Sequence, residues 1–220
     1  MWGSLIMLIA GAGRHAKDLY VVLKDNSVED DFYFYDDTTT LREELFLGRY
    51  KVIISEHEAS QYFLQDNKFA IGVGGVNGRR ILYKKLIKLG GGVISVISKR
   101  SIIGCNQYSL GQGLNIMPYV FVSEAVKIGQ GTLLNTRVSV HHDVEIGDFC
   151  DVAPGALLLG GVKVGNFSFI GANSTILPDV EIGVNCIVGA GAVVTKNVPD
   201  NSKVLGVPAR IVDQNLNYES

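Results

Sequence analysis

The sequence predicts an α/β, Rossmann-like N-terminal domain followed by a parallel β-helix of hexapeptide repeats, and three observations carry that expectation. Short β-branched runs alternate with helical stretches through the first half. All five prolines (Pro118, Pro154, Pro178, Pro199, Pro208) fall in the second half. From Leu110 to Val194 an aliphatic residue returns at every sixth position. The rhythm changes around "ISKRS", residues 97–101, which sets domains at 1–98 and 99–220. A chain of 220 residues is long enough to give each its own core.

In the N-terminal domain the runs are "LIMLIA", "RHAKDLYVVLKD", "FYFY", "YKVIIS", "EHEASQYFLQ", "FAIGV", "GRRILYKKLIKLG" and "VISVI". Strand and helix patterns alternating in this way predict a parallel sheet covered by helices. Between the first strand and helix lies Gly11-Ala12-Gly13-Arg14-His15-Ala16, a match to G-x-G-x-x-A, and Asp36 and Asp37 follow the second strand. The physical logic is that of a nucleotide site. Glycines let the backbone turn and approach a ligand, a helix start offers unpaired N–H groups to phosphate, and a carboxylate after the second strand accepts ribose hydroxyl protons.

In the second domain the six-residue lattice fits neither a helix nor an ordinary strand, whereas hexapeptide solenoids repeat in this way. The residue after the lattice point is glycine at 111, 129, 147, 165, 171, 183 and 189, where corners leave little room. Four places after it the residue is usually small or β-branched, and both sets are expected to point inward and stack coil upon coil. Cys150 and Cys186 fall in the second set, so they read as core filler. With Cys105 they make an odd number without C-x-x-C spacing, which argues against a disulfide framework or a zinc site and suits a reducing cytoplasm.

Composition excludes other classes. Twenty basic residues against 22 acidic ones give a net charge of -2 and a pI near 6.1, which offers no basic field for nucleic acid. No apolar run reaches the roughly 20 residues of a membrane span, and "MWGSLIMLIAGAGRHAK" reads as a strand, not a signal peptide.

Taken together, "GAGRHAKD", "YDD", "NTRVSVHHDVEIGDF" and the tail "NVPDNSKVLGVPARIV" resemble the hexapeptide, left-handed β-helix acyltransferases, and within them the NeuD-type branch that modifies bacterial sugars. The resemblance covers nearly the whole chain. It implies an N-terminal domain holding a nucleotide-linked amino sugar, a solenoid binding acetyl-CoA as cosubstrate, no metal, and a homotrimer with sites between neighbouring solenoids. It further implies a cytoplasmic enzyme of surface-glycan (lipopolysaccharide) synthesis. Within the branch, N-acetylation of the 4-amino group of a nucleotide-linked 4-amino-4,6-dideoxy sugar is favoured over O-acetylation of sialic acid by the preserved nucleotide loop.

Chemistry then gives "HHD" a meaning. His141 occupies the corner place where glycine is usual and His142 the next, so at least one imidazole projects outward. An amine attacking a thioester needs a proton acceptor, and a neutral imidazole suits the task. Aligned on the family's motif, His142 matches the general base and Asp143 its orienting acid. Asn135 either hydrogen-bonds the sugar or the base, or is a corner asparagine tolerating a tight turn. His15 matches a histidine near the nucleotide-sugar phosphates; Arg14 either adds a phosphate contact or sits at the exposed first helical turn. For the cofactor the candidates are Gly160, Gly171, Ala172 and Ala190, through backbone amides at corners, and Asp151, which stands where the family often has a second histidine. Two other classes stay open: an NAD-dependent oxidoreductase using the same glycine loop, and a solenoid scaffold on which the histidines are incidental.

Overall fold

A computed structural model describes residues 7–28, 32–38, 45–106 and 108–214. Leu5 and Ile6 of the first strand pattern, and Thr39 and Thr40 shortly after Asp36 and Asp37, lie outside the described residues. The chain divides into two compact units, Met1–Val96 and Ile97–Ser220.

The first unit is a six-stranded sheet with α-helices. Strand β1 (Met7–Ala10) is central and buried along its whole length. Strands β2 (Phe32–Tyr35) and β4 (Tyr50–Ile53) lie on one side of it, with β5 (Lys68–Ile71) and β6 (Gly92–Val93) on the other. All these pairs are parallel. The short β3 (Leu45–Phe46), which the sequence pattern does not announce, pairs antiparallel with β4 at the edge. Helix α1 (Arg14–Asp25) buries Ala16, Leu19, Val22 and Leu23, a spacing of three and four that puts one apolar stripe toward the core. Helices α2 (Glu56–Phe63) and α3 (Val76–Lys88) follow β4 and β5. Because β2 and β5 flank β1, the strand order reverses there. Ligands bind beyond the carboxyl ends of the strands at such a reversal in sheets of this kind, here those of β1 and β5.

"VISVI" is not one strand. Its first residue, Val93, ends β6, and Val96–Ile97, where the division between the units falls, instead form the end strand of the sheet that makes the first β-helix face.

The second unit is a three-faced parallel β-helix. Every 18 residues the chain returns to the same face: Asn115 pairs with Leu133, Leu133 with Asp151, and Asp151 with Phe169 on the first. The second face stacks strands from Ile102–Ile103 to Val193–Val194, and the third from Ser109–Leu110 to Glu181–Ile182. The lattice residues and those four places on form one buried column-filled core, from Leu114 to Val204. Each fully buried aliphatic side chain contributes about 1.5–3 kcal/mol relative to exposure, so the repeat itself supplies the stability.

Two corner rules emerge. At the first residue after the lattice point the next coil comes too close for a side chain: a Cβ on Gly129 would lie 2.5 Å from the backbone nitrogen of Asp148, and one on Gly171 2.5 Å from that of Ala190. At the third residue the backbone is left-handed from Gly113 to Gly191 at every sixth position, and most of these residues are not glycine, including Arg137, Asp143, Phe149 and Asn173. The turn imposes this at a cost of roughly 1–3 kcal/mol per residue that the stacked coils offset.

Cys150 and Cys186 do more than fill space. In one inward column Thr132 donates to the carbonyl of Gly147 (2.8 Å) and Ser168 to that of Gly183 (2.8 Å). The thiols of Cys150 and Cys186 take the intervening places, donating to Gly165 (3.3 Å) and Pro199 (3.1 Å). Burial pushes the Cys150 thiol up to about 12.

The outward residues differ by face. On the third, after Ser109, they are charged and alternate in sign, with Lys127 bonded to Glu145 (2.9 Å) and Lys163 to Glu181 (3.1 Å). On the second they are Ile102, Phe121, Ser139, Leu157, Thr175 and Val193, without a charge among them.

Candidate active site

Two groups of side chains stand out, one in each unit.

In the first unit the glycine loop after β1 lies at the point where the strand order reverses. Gly11 has φ +116, its N–H donates to the carbonyl of Tyr35 (2.7 Å), and a Cβ there would lie 2.4 Å from Cγ1 of Val73, so only glycine fits. Gly13, the N-cap of α1, faces open space. It supplies no capping side chain, and the first turn carries no acid, so the helix start presents its N–H groups outward. Arg14 is exposed on that first turn.

The two aspartates separate. Asp36 turns to the loop: its Oδ2 accepts the N–H of Ala12 (3.4 Å), and its Oδ1 accepts from the N–H and hydroxyl of Thr38 (3.1 and 2.8 Å). Asp37 is engaged on its other side, with Oδ2 accepting from Tyr35 (2.8 Å) and Lys85 (2.5 Å). Burial works against its charge, and these two donors outweigh burial, holding the carboxyl below its ordinary range.

His15 is held neutral. Burial, and secondarily the Arg79 guanidinium, lower its pKa to about 4, and its Nε2 is buried without a hydrogen-bond partner among the described residues. Arg79 itself is wholly buried and donates to the carbonyl of Val73 (2.8 Å), the residue packed on Gly11. The sequence reading missed Arg79. Its signal is phase: Arg79, Leu82 and Leu86 share one face of α3, an arginine where an aliphatic residue is expected.

In the second unit the first-to-second-face corner and the second-to-third-face corner carry the predicted residues. His142 and Asp143 follow Val140, the end of a second-face strand, and project from the corner. Nδ1 of His142 lies 2.9 Å from Oδ2 of Asp143, with the side chains 65% and 67% exposed. A carboxylate only accepts, so Nδ1 is the donor, and in a neutral imidazole so held Nε2 is the nitrogen with the lone pair. Gly160, one coil later, lies over the same ring. His141 is half-buried, with its ring edge-on to Phe121 at 6.0 Å and its N–H donating to the carbonyl of Leu158.

Gly171, Ala172 and Ala190 share the first-to-second-face corner, away from Gly160. On that same side Nδ2 of Asn135 donates to Oδ1 of Asp151 (3.1 Å), and Asp151 is 6% exposed on the first face. Thus two residues read separately in the sequence are a bonded pair. The two corners border the uncharged second face on its opposite edges. An open groove of about 610 Å³ on the third face is lined by Lys163, Glu181, Asn197 and Asp200 among others, and His142 does not line it. Among the described residues no group of three or more His, Cys, Asp or Glu is placed to hold a metal ion, and no helix is long and apolar enough to cross a membrane.

Comparison with known proteins agrees with this layout. Residues 7–86 match the PglD N-terminal domain and residues 161–196 the bacterial transferase hexapeptide (six repeats). PerB from Caulobacter crescentus, solved in complex with CoA and GDP-perosamine, is 28% identical with a TM-score of 0.85, covering 94% of this chain and 97% of that one. A variant of that perosamine N-acetyltransferase with one histidine replaced by asparagine, in complex with the same two molecules, gives 28% and 0.84 over the same shares. WeeI from Acinetobacter baumannii is 29% identical with a TM-score of 0.81, covering 94% of this chain and 99% of that one. The β-helix is accordingly left-handed.

Proposed function

We propose that this chain, an acetyl-CoA-dependent sugar acetyltransferase joining a PglD-type N-terminal domain to left-handed hexapeptide repeats, transfers acetyl to the 4-amino group of a nucleotide-linked 4-amino-4,6-dideoxy sugar. The observation that carries the reading is the outward imidazole of His142, fixed at Nδ1 by Asp143 (2.9 Å) so that Nε2 is the nitrogen left to take a proton.

The amine nitrogen attacks the thioester carbonyl carbon, forming the C–N bond, and Nε2 of His142 removes the proton that the amine can no longer keep. The carbon–sulfur bond then breaks, and the imidazolium returns its proton to the departing thiolate, giving CoASH and the amide. Asp143 holds the tautomer and offsets the charge on the ring. No acyl-enzyme forms. Of the three thiols, Cys150 and Cys186 are buried, with Cys150 held far from its reactive thiolate form, and the exposed Cys105 is given no part in the transfer.

The nucleotide sits at the glycine loop of the N-terminal domain. Its diphosphate meets the open start of α1 beyond Gly11 and Gly13, with Arg14 and His15 beside it, and Asp36 accepts from the ribose. Asp37 contributes by holding the loop through Lys85 and Tyr35. Acetyl-CoA lies in a groove between neighbouring copies of a trimer. The uncharged second face, bordered by the corner of His142 on one side and that of Gly171, Ala172 and Ala190 on the other, is the surface such packing covers. Asn135 and Asp151 support that second corner as a pair. The setting is the cytoplasm.

The test mixes the protein with acetyl-CoA and UDP-, GDP- and dTDP-linked 4-amino-4,6-dideoxyhexoses and follows thiol release, with thermal shifts against the free nucleoside diphosphates in parallel. Thiol release with one nucleotide series, and stabilisation by the same diphosphate, is the expected result. Release with free sialic acid instead, or stabilisation by NAD without thiol release, overturns it.

A further inference from the structure

We infer that Gly160 is a positioning residue that seats the imidazole of His142, a role that rests on the reading of His142 as the base. Gly160 comes 18 residues after His142, one full turn of the prism, and the two coils are joined there by the N–H of Gly161 donating to the carbonyl of His142 (3.0 Å). A Cβ on Gly160 would fall 2.5 Å from Cε1, 2.8 Å from Nε2 and 3.1 Å from Nδ1 of His142. Ordinary carbon contacts begin at about 3.5 Å, so the ring occupies the space that any other residue at 160 would fill.

Backbone geometry gives no competing reason for this glycine. Gly161 has φ +74 and sits in the left-handed place of the corner, whereas Gly160 is not among the residues with positive φ. Sequence position points the same way. At the second place after the lattice residue, from Gln112 to Lys196, glycine occurs once, at Gly160, and it is the one that stacks on His142. The ring is thereby bounded on two sides: Asp143 takes its Nδ1 from within the same coil, and the bare Cα of Gly160 receives its flat side from the next. Since the imidazole is the exposed end of a side chain, a methyl group at 160 displaces the ring and leaves the stacked backbone in place.

The experiment compares Gly160→Ala, His142→Ala, the double variant, and Gly113→Ala. The last strains a left-handed glycine (φ +70) at the third-to-first-face corner, away from both corners assigned to the site, and so reports a merely structural effect. Turnover is read with acetyl-CoA and the amino-sugar nucleotide that the parent accepts. CoA affinity is measured by calorimetry, and the His142 ring is read by ¹⁵N-histidine NMR, assigned with His142→Ala. The expected result is a kcat for Gly160→Ala lowered about 10- to 100-fold and a dissociation constant for CoA within about twofold of the parent's. The Nδ1-protonated signature of His142 is lost, and the double variant is no slower than His142→Ala. Gly113→Ala keeps its turnover. Undiminished turnover in Gly160→Ala beside an inactive His142→Ala overturns the seat, as do unchanged His142 resonances. Weakened CoA binding with intact kcat also overturns it and makes Gly160 a cofactor contact. If His142→Ala stays active, the base reading itself fails, and the resonances still decide the seat.

Discussion

Nδ1 of His142 lies 2.9 Å from Oδ2 of Asp143, its neighbour in sequence, because the corner turn holds Asp143 at φ +61 and swings its carboxylate back toward the ring. Replacing His142 by alanine should lower kcat by about 100-fold or more, and Asp143→Asn by about 10-fold, with the acetyl-CoA KM little changed. Asparagine tolerates the left-handed backbone, so the second variant should melt like the parent. Steady-state thiol release checks both.

His15 ties stability to pH. Its imidazole titrates near 6.5 when unfolded and near 4 when folded, so between those values the unfolded chain binds the extra proton. The contribution is complete above pH 6.5 and falls away as pH drops toward 4, by about 3 kcal/mol in all. Thermal unfolding followed from pH 7 to pH 4 should show this fall, and His15→Gln should flatten it.

Asp36 and Asp37 should part company under mutation. Asp36→Asn is expected to weaken nucleotide binding roughly tenfold while leaving the melting temperature near that of the parent, because its partners are loop donors, the half-buried N–H of Ala12 and the exposed Thr38. Asp37→Asn should instead lower stability by about 1–3 kcal/mol, since it leaves Lys85, in a partly buried site, with only the more distant Glu56 carboxylate (3.7 Å). Calorimetric titration with the preferred nucleoside diphosphate, beside urea unfolding, separates the two.

Thiol chemistry should leave the enzyme intact. Cys105 is exposed and Cys150 and Cys186 are buried, so iodoacetamide should label one site per chain on the native protein without loss of turnover. Cys150→Ser should fold within about 1 kcal/mol of the parent because a hydroxyl donates to Gly165 as Ser168 does to Gly183. Mass spectrometry and urea melts report the outcome.

Leu157 stands mid-row on the uncharged second face, between Ser139 and Thr175. Leu157→Glu should yield folded single chains in sedimentation, with transfer activity lost, if copies meet on that face. A trimer of unchanged affinity and full activity would move the interface elsewhere.

Much of this architecture is legible in the residues themselves. The six-residue lattice sets the prism, its inward columns and the outward throw of His142, because a solenoid repeats one local rule and each coil rests only on its neighbours. Helix α1 begins and ends where "RHAKDLYVVLKD" does. What escaped depends on contacts between positions far apart in sequence. Lys85 reaches Asp37 across 48 residues, Arg79 reads as a surface residue until α3 turns it inward, and Asn135 finds Asp151 only when two coils stack. The split of "VISVI" escaped for the opposite reason: a continuous β-branched run carries no mark of where one sheet hands over to another. Gly160 was visible as a corner glycine, but its purpose required counting one full turn back to the ring beneath it.

The alternating row Lys127, Glu145, Lys163, Glu181 also bears on how such a chain changes length. Excising the 18-residue turn that carries Glu145 or Lys163 would set lysine beside lysine or glutamate beside glutamate along that flank, whereas removing both turns together preserves the opposite-sign neighbours. Viable shortening of this rod therefore favours an even step, a parity rule written in four side chains.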